Sequence, residues 1–322
     1  MSSREASNEI RLTRVYDAPV AAVWDAWTDP EQVAQWWGPR GFTLTTHSKE
    51  LKVGGIWHYT MHGPDGVDYP NKTLYHEVEP LRKLVYDHGG NDERAPLFRV
   101  TVTFTSQGDQ TVMEFCMQLE TPEQAAETRK FIKAAGGNAT WDRLAEYLDD
   151  QANGQGCFVI NRSFDAPQEV VFDAWADPAQ LSQWLPPAGF QVKYIECDIR
   201  IGGQSFYCMS NGQGVTLYGR ARYLELDRPV RLAYTQQFCD EHGNLGRHPG
   251  LPVFPSTLLN TIVIARDSDG GTRVTLTSRP YGEATPEERQ VFRDIRGGMT
   301  QGWTGSFDAL EALLRREVSP GA

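Results

Sequence analysis

Cysteine is scarce in this chain and follows no pairing pattern. There are five, Cys116, Cys157, Cys197, Cys208 and Cys239, an odd number with no C-x-x-C among them. That excludes a disulfide framework or a zinc ribbon and reads as reduced thiols. Long apolar runs are missing as well, none nearing the roughly 20 residues of a membrane span. The stretch Met1 to Asn8 is polar, without an apolar signal core, so the expectation is a cytoplasmic protein with no membrane span. Positive charge is short: 31 Lys and Arg face 42 Asp and Glu, for a net charge of −11. Residues 1–150 carry −8 and residues 151–322 carry −3. An acidic surface without clustered Lys or Arg argues against nucleic acid and anionic lipid as partners. There is no G-x-S-x-G, no H-E-x-x-H, no phosphate loop and no strand–G-x-G-x-x-G–helix unit. No cofactor and no metal are therefore expected, and no catalytic residue is assigned.

What is present is a duplication. Asp17 to Trp37 reads DAPVAAVWDAWTDPEQVAQWW, and Asp165 to Leu185 reads DAPQEVVFDAWADPAQLSQWL, 148 residues later. Arg14–Tyr86 matches Arg162–Tyr234 without a gap, with 26 identities in 73 positions. A period this long marks duplicated domains, not a solenoid. The polar, Gly-containing segment Asp149 to Gly156 has a linker's composition, which predicts two domains, 1–150 and 151–322.

Each half reads alike. Ile10, Leu12 and Tyr16, and then Phe158, Ile160 and Phe164, alternate as in a strand. Ala-Pro opens a short helix bearing Trp27 or Trp175, and Asp-Pro restarts the chain in a second helix ending near Trp36 or Trp184. Strands follow, punctuated by hairpin glycines such as Gly54-Gly55 and Gly202-Gly203; the clearest is Phe98 to Phe104, with strict period two. Thr121-Pro122-Glu123-Gln124 and Thr285-Pro286-Glu287-Glu288 read as capping boxes. Gly136-Gly137 and Gly297-Gly298 read as breaks before a last amphipathic helix, which in the second half presents Trp303, Phe307, Leu310 and Leu314. Arg14 and Arg162 fall on the inward register of the first strand, where a buried Arg needs a carboxylate or a ligand anion; pairing with Asp17 or Asp165 at the rim is the structural alternative.

The pattern R-x-x-D-A-P-x-x-V-W-D-A-W-T-D-P-x-x-x-x-x-W-W-G-P, followed by L-K-V-G-G-x-W, resembles the family homologous to the C-terminal domain of the heat-shock-protein-90 ATPase activator, within the START-like, or Bet v 1-like, superfamily. The resemblance implies an α+β class: two tandem helix-grip domains, each a curved antiparallel sheet wrapped around a long C-terminal helix with a cavity between them. Gly302-Trp303 keeps the family's Gly-Trp, whereas the first half has Gly136-Gly137. Trp36-Trp37-Gly38-Pro39 keeps the W-W-G-P that Trp184-Leu185-Pro186-Pro187 loses. Functions in the superfamily range over lipid binding, cyclase, aromatase and hydrolase chemistry and chaperone interaction.

Comparing the two halves strand by strand predicts where a site lies. The inward row Phe98, Val100, Val102, Phe104 becomes Leu258, Asn260, Ile262, Ile264. Phe115 and Met117 become Leu276 and Ser278, and Trp57 becomes Ser205, while Tyr59 and Tyr86 are kept as Tyr207 and Tyr234. Smaller, more polar walls predict the larger open cavity in the second half, against a helix starting near Gly302, with Tyr207, Tyr234, Asn260, Ser278 and Trp303 as ligand-binding candidates and Tyr59 and Tyr86 as their first-half counterparts. A buried Asn260 needs a partner, since an unpaired amide costs about 1–3 kcal/mol. Tyr234 to Ile264 spans 30 residues where Tyr86 to Phe104 spans 18, so the second half carries an insertion within 238–256 that includes His242 and His248. It reads either as a lid at the cavity mouth, filling the space if Leu251, Val253 and Phe254 turn inward, or as a solvated loop. The partner expected is a hydrophobic or aromatic small molecule, by simple binding or by cyclase, aromatase or hydrolase chemistry; a protein partner stays open.

Overall fold

The computed structural model describes residues 7–134, 139–267 and 270–318. The chain forms two compact units, Met1–Ala152 and Asn153–Ala322. Unit 1 runs β1 (Glu9–Tyr16), α1 (Val20–Thr28), α2 (Pro30–Trp36), β2 (Thr43–Lys49), β3 (Ile56–His62), β4 (Asp68–Glu79), β5 (Lys83–Gly90), β6 (Phe98–Gln107), β7 (Gln110–Gln118), α3 (Pro122–Ala134) and α4 (Ala139–Asn153). Unit 2 runs β8 (Phe158–Phe164), α5 (Gln168–Ala176), α6 (Pro178–Trp184), β9 (Gln191–Cys197), β10 (Gln204–Ser210), β11 (Thr216–Asp227), β12 (Arg231–Cys239), β13 (Thr257–Arg266), β14 (Thr272–Pro280), α7 (Pro286–Asp294) and α8 (Arg296–Val318).

Each unit is one seven-stranded antiparallel sheet, ordered β1-β7-β6-β5-β4-β3-β2 and β8-β14-β13-β12-β11-β10-β9. Six consecutive strands form a meander, and the first strand of the unit closes its far edge. The two short helices carry the chain from one edge to the other. Their duplicated sequence has a local reason. Asp29 caps α2 by accepting from Glu31 N and Gln32 N, Asp177 caps α6 by accepting from Ala179 N, and a proline fills the first helical position in both. Trp36 Nε1 then donates to Ala26 O at 2.9 Å and Trp184 Nε1 to Ala174 O at 2.8 Å, tying each second helix to the first. Gly55 and Gly203 each turn under a carbonyl that a Cβ would approach to 2.1 or 2.2 Å, so only glycine fits.

The last helix of each unit lies on the inner face of the sheet. Trp141, Leu144 and Leu148 of α4 and Phe307, Leu310 and Leu314 of α8 sit at matching spacing, and all six are buried. Thr285 and Glu288 form a complete capping box on α7. At α3, Gln124 N donates to Thr121 Oγ1, but the Gln124 side chain accepts from Glu120 N, one residue beyond the expected cap.

Three sequence expectations change. The polar segment read as a linker is helical through Asn153, because it extends the last turns of α4. Helix α8 begins at Arg296, not near Gly302, and carries Gly297 and Gly298 inside its first turn. Its early residues Met299 and Trp303, with the cap Ile295, pack on the core of unit 2, and that burial outweighs the roughly 1 kcal/mol each glycine costs a helix. Gly136-Gly137 lie outside the described residues. Arg162 pairs not with Asp165 but with Asp308 at 2.6 Å and Glu311 at 3.3 Å, since α8 brings two carboxylates beneath the strand. Arg14 is buried and donates to Thr13 O, while the Asp17 expected to pair with it accepts from Gln110.

Candidate functional site

Adjacent strands of unit 2 set four inward side chains side by side. Ser278 on β14 opposes Asn260 on β13, Asn260 opposes Tyr234 on β12, and Tyr234 opposes Tyr223 on β11. The same register in unit 1 holds Met117, Val100, Tyr86 and Tyr75. One row across the sheet is thus polar throughout in unit 2 and half apolar in unit 1. Asn260 and Ser278 are 2% and 1% exposed, so this polarity is buried. Asn260 Nδ2 donates to Gln236 Oε1 at 3.2 Å, the partner a buried amide needs. The Ser205 and Tyr223 hydroxyls share a hydrogen bond at 3.1 Å. Ser278 Oγ and Trp175 Nε1 find no partner among the described residues.

Over this row, between the sheet and α8, lies a cavity of about 290 Å³. Its wall includes Tyr207, Tyr234, Asn260, Ser278 and Trp303, and among the described residues no Asp, Glu, Lys or Arg. Burial pushes the phenols of Tyr194, Tyr207 and Tyr234 well up, and that of Tyr223 to about 12, so all four stay neutral donors near pH 7. The ring of Tyr207 lies over Gly219, where a Cβ would come within 2.5 Å of it. In unit 1 the corresponding Tyr59 stacks instead on Trp57, centroids 4.1 Å apart. Space also opens at the helix. Gly302 lines the cavity, and a Cβ there would meet nothing within 4 Å.

The insertion forms part of the wall. Leu251 and Phe254 line the cavity, and Phe254 packs 5.9 Å from Phe292 of α7. Arg247 fastens the loop by donating to Phe254 O and pairing with Glu288. The two histidines part company. His242 is exposed, whereas His248 lines the cavity against Phe238 and Phe254. Gly250 N–H donates to His248 Nδ1 at 3.0 Å, which places the proton of the neutral ring on Nε2, and burial lowers its pKa further.

In unit 1 the equivalent space is filled. Trp27, Trp36, Trp37 and Trp141 pack with centroids 5.3–6.4 Å apart, and Trp57 closes on Trp37 at 5.3 Å. Tyr59 and Tyr86 are buried in this core, 0% and 2% exposed. Charged clamps seal the same end: Glu146 takes both terminal nitrogens of Arg40, and Arg143 donates to the carbonyls of Gln35, Gly38 and Pro39. At the matching loop of unit 2, Ser306 Oγ donates to Leu185 O.

The expectation that unit 2 holds the larger open cavity needs correction. Unit 1 carries a wider open groove, of about 1070 Å³ against about 290 Å³, between α3 and the β5–β7 end of the sheet, lined by His88, Leu97 and Phe131 among others. Its cause is the missing insertion: in unit 2 Phe254 occupies the space between sheet and α7. The 238–256 loop is accordingly more than a mouth.

His88, the counterpart of Gln236, packs between Trp37 and Phe98, and burial lowers its pKa to about 4. The unfolded imidazole, near 6.5, takes a proton that the folded one refuses, so this group removes stability from unit 1 as pH falls from about 6.5 to 4. His88→Gln should flatten the acid side of unit 1's melting profile over that window. A difference between variant and wild type that does not change with pH would show that His88 is free to protonate in the fold.

Some of the wall escaped the sequence reading. Gln236 shares the period-two face of Tyr234, and that signal was available. Leu185 in place of Trp37 was visible as a broken motif but not as lost bulk. Tyr194, on a weakly patterned strand, and Trp175 carried no signal beyond core packing.

The family profile described as Activator of Hsp90 ATPase homolog 1-like protein matches residues 17–149 and 165–315. The chain belongs to this family, in two copies. A solution NMR structure of a protein from Arthrobacter aurescens is 26% identical over 47% of this chain and 92% of its own, with a TM-score of 0.43. A crystal structure of a protein from Chromobacterium violaceum is 30% identical over 49% and 96%, with a TM-score of 0.39. A family member from Silicibacter pomeroyi is 22% identical over 50% and 99%, with a TM-score of 0.40. No curated protein matches. The Activator of Hsp90 ATPase homolog 1-like fold is of a type that serves ligand-binding or chaperone-associated domains. Among the described residues no helix is long and apolar enough to cross a membrane, and no group of three or more His, Cys, Asp or Glu is placed to hold a metal ion.

Proposed function

We propose that this protein binds a small, largely hydrophobic molecule in the cavity of unit 2, and that unit 1 is the closed copy. The observation that carries this reading is the buried row Ser278–Asn260–Tyr234–Tyr223 facing an unfilled space under α8. A buried polar row is costly unless satisfied, and a hydroxyl without a partner beside a cavity is the arrangement a ligand completes. Binding is favoured over general-base chemistry because His248 presents a proton donor, and the tyrosines beside it are neutral.

The test is a swap toward unit 1. Asn260→Val with Ser278→Met installs the residues that unit 1 carries in the same register. Titrating the full chain with the neutral fluorophore N-phenyl-1-naphthylamine should give saturable binding in the wild type, and at least tenfold weaker binding in the double variant with an unchanged melting temperature. Equal binding by both would place the probe elsewhere and defeat the assignment.

A further inference from the structure

We infer that the cavity of unit 2 selects a small neutral aromatic ligand bearing a hydrogen-bond-accepting oxygen, and rejects carboxylates; the inference rests on the binding reading above. Three observations converge on it. The first is charge. Among the described residues no Asp, Glu, Lys or Arg lines the space, its phenols are neutral at pH 7, and burial shifts the His248 imidazole toward the neutral form. A carboxylate entering would lose its water with no cation to meet it, a loss of orders of magnitude in affinity.

The second is the direction of the hydrogen bonds. Trp175 Nε1 can only donate, and neither it nor Ser278 Oγ has a partner among the described residues. His248 Nε2 carries a proton because Nδ1 is taken by Gly250 N. The unpartnered Trp175 N–H and Ser278 hydroxyl, with the His248 Nε2–H, are donors, and the group that answers them is a carbonyl or ether oxygen. The third is size. About 290 Å³ lies at the lower end of small-molecule pockets and is too little for a long acyl chain, whereas aromatic rings line it on both sides, Tyr234 from the sheet and Trp175 and Trp303 from the helices.

Three naphthalenes of the same shape separate these claims: 2-acetylnaphthalene, 2-naphthoate and 2-isopropenylnaphthalene, titrated calorimetrically into the full chain at pH 7. The ketone should bind at least tenfold more tightly than either of the others. Ser278→Ala should bring the ketone toward the hydrocarbon's affinity while leaving the hydrocarbon unchanged. Naphthoate binding as tightly as the ketone would overturn the rejection of charge, and hydrocarbon binding as tightly would overturn acceptor recognition. Either result leaves cavity binding itself standing. Binding of N-phenyl-1-naphthylamine without binding of any naphthalene would overturn acceptor recognition, because that probe carries no oxygen. Failure of all four probes would instead remove the binding reading on which this inference rests.

Discussion

Replacing Trp27 by alanine should destabilise unit 1 by about 5 kcal/mol, at the top of the range for truncating a large buried aromatic. Trp27 is 2% exposed and has ring neighbours on every side: Trp36, Trp37, Phe104 and Trp141 all lie within 5.7 Å, with Trp141 stacked at 14°. A site so enclosed cannot collapse, so both the transfer term and the cavity term are paid in full. Trp175→Ala should cost unit 2 less, about 3 kcal/mol. Its indole also is buried, but it lines a space that is already empty, and its N–H has no acceptor to lose. Urea unfolding followed for each unit measures both. Equal losses would mean that Trp175 is as tightly enclosed as Trp27, and a wild-type transition for either would mean that its ring is not part of the core.

Gly302→Leu should abolish binding of the neutral probe, by at least a hundredfold, without lowering the melting temperature. The two effects separate because they come from different physics. Glycine inside a helix costs roughly 1 kcal/mol relative to alanine, so a side chain in α8 helps the fold. A Cβ at this position meets nothing within 4 Å, so no native contact is displaced. The added isobutyl group then occupies space that a ligand would need. Gly302→Ala, which fills less, should bind with intermediate affinity and the same or higher stability. A Gly302→Leu protein that melts normally and binds normally would show that the bound molecule does not sit beneath α8.

Much of this architecture was legible because its causes are local. The Asp-Pro restarts, the tryptophans at helical spacing and the period-two strands all state their partners within a few residues. Because strand parity alternates side chains between faces, aligning the halves put Asn260 and Ser278 on inward faces, and the strand register then sets them in one row with Tyr234. What was not legible depended on distant chain. Arg162 meets Asp308, 146 residues away, and no spacing rule connects them. Gly297-Gly298 has the local chemistry of a break, yet packing of Ile295 and Met299 keeps the helix going through it. The insertion has no periodicity at all, so its dual role as wall and filler, and the groove its absence leaves in unit 1, follow only from where Phe254 and Phe292 meet. The clamp of Arg143 on the loop carbonyls was hidden for the same reason: its acceptors are backbone atoms.

The assignment of binding to unit 2 and closure to unit 1 meets its most direct test in a crystal structure of the full chain with N-phenyl-1-naphthylamine. One molecule should appear, between the Ser278–Asn260–Tyr234 row and Trp303, with unit 1's tryptophan core unchanged. A molecule in the groove beside Phe131 and Leu97, with the space under α8 empty, would contradict it.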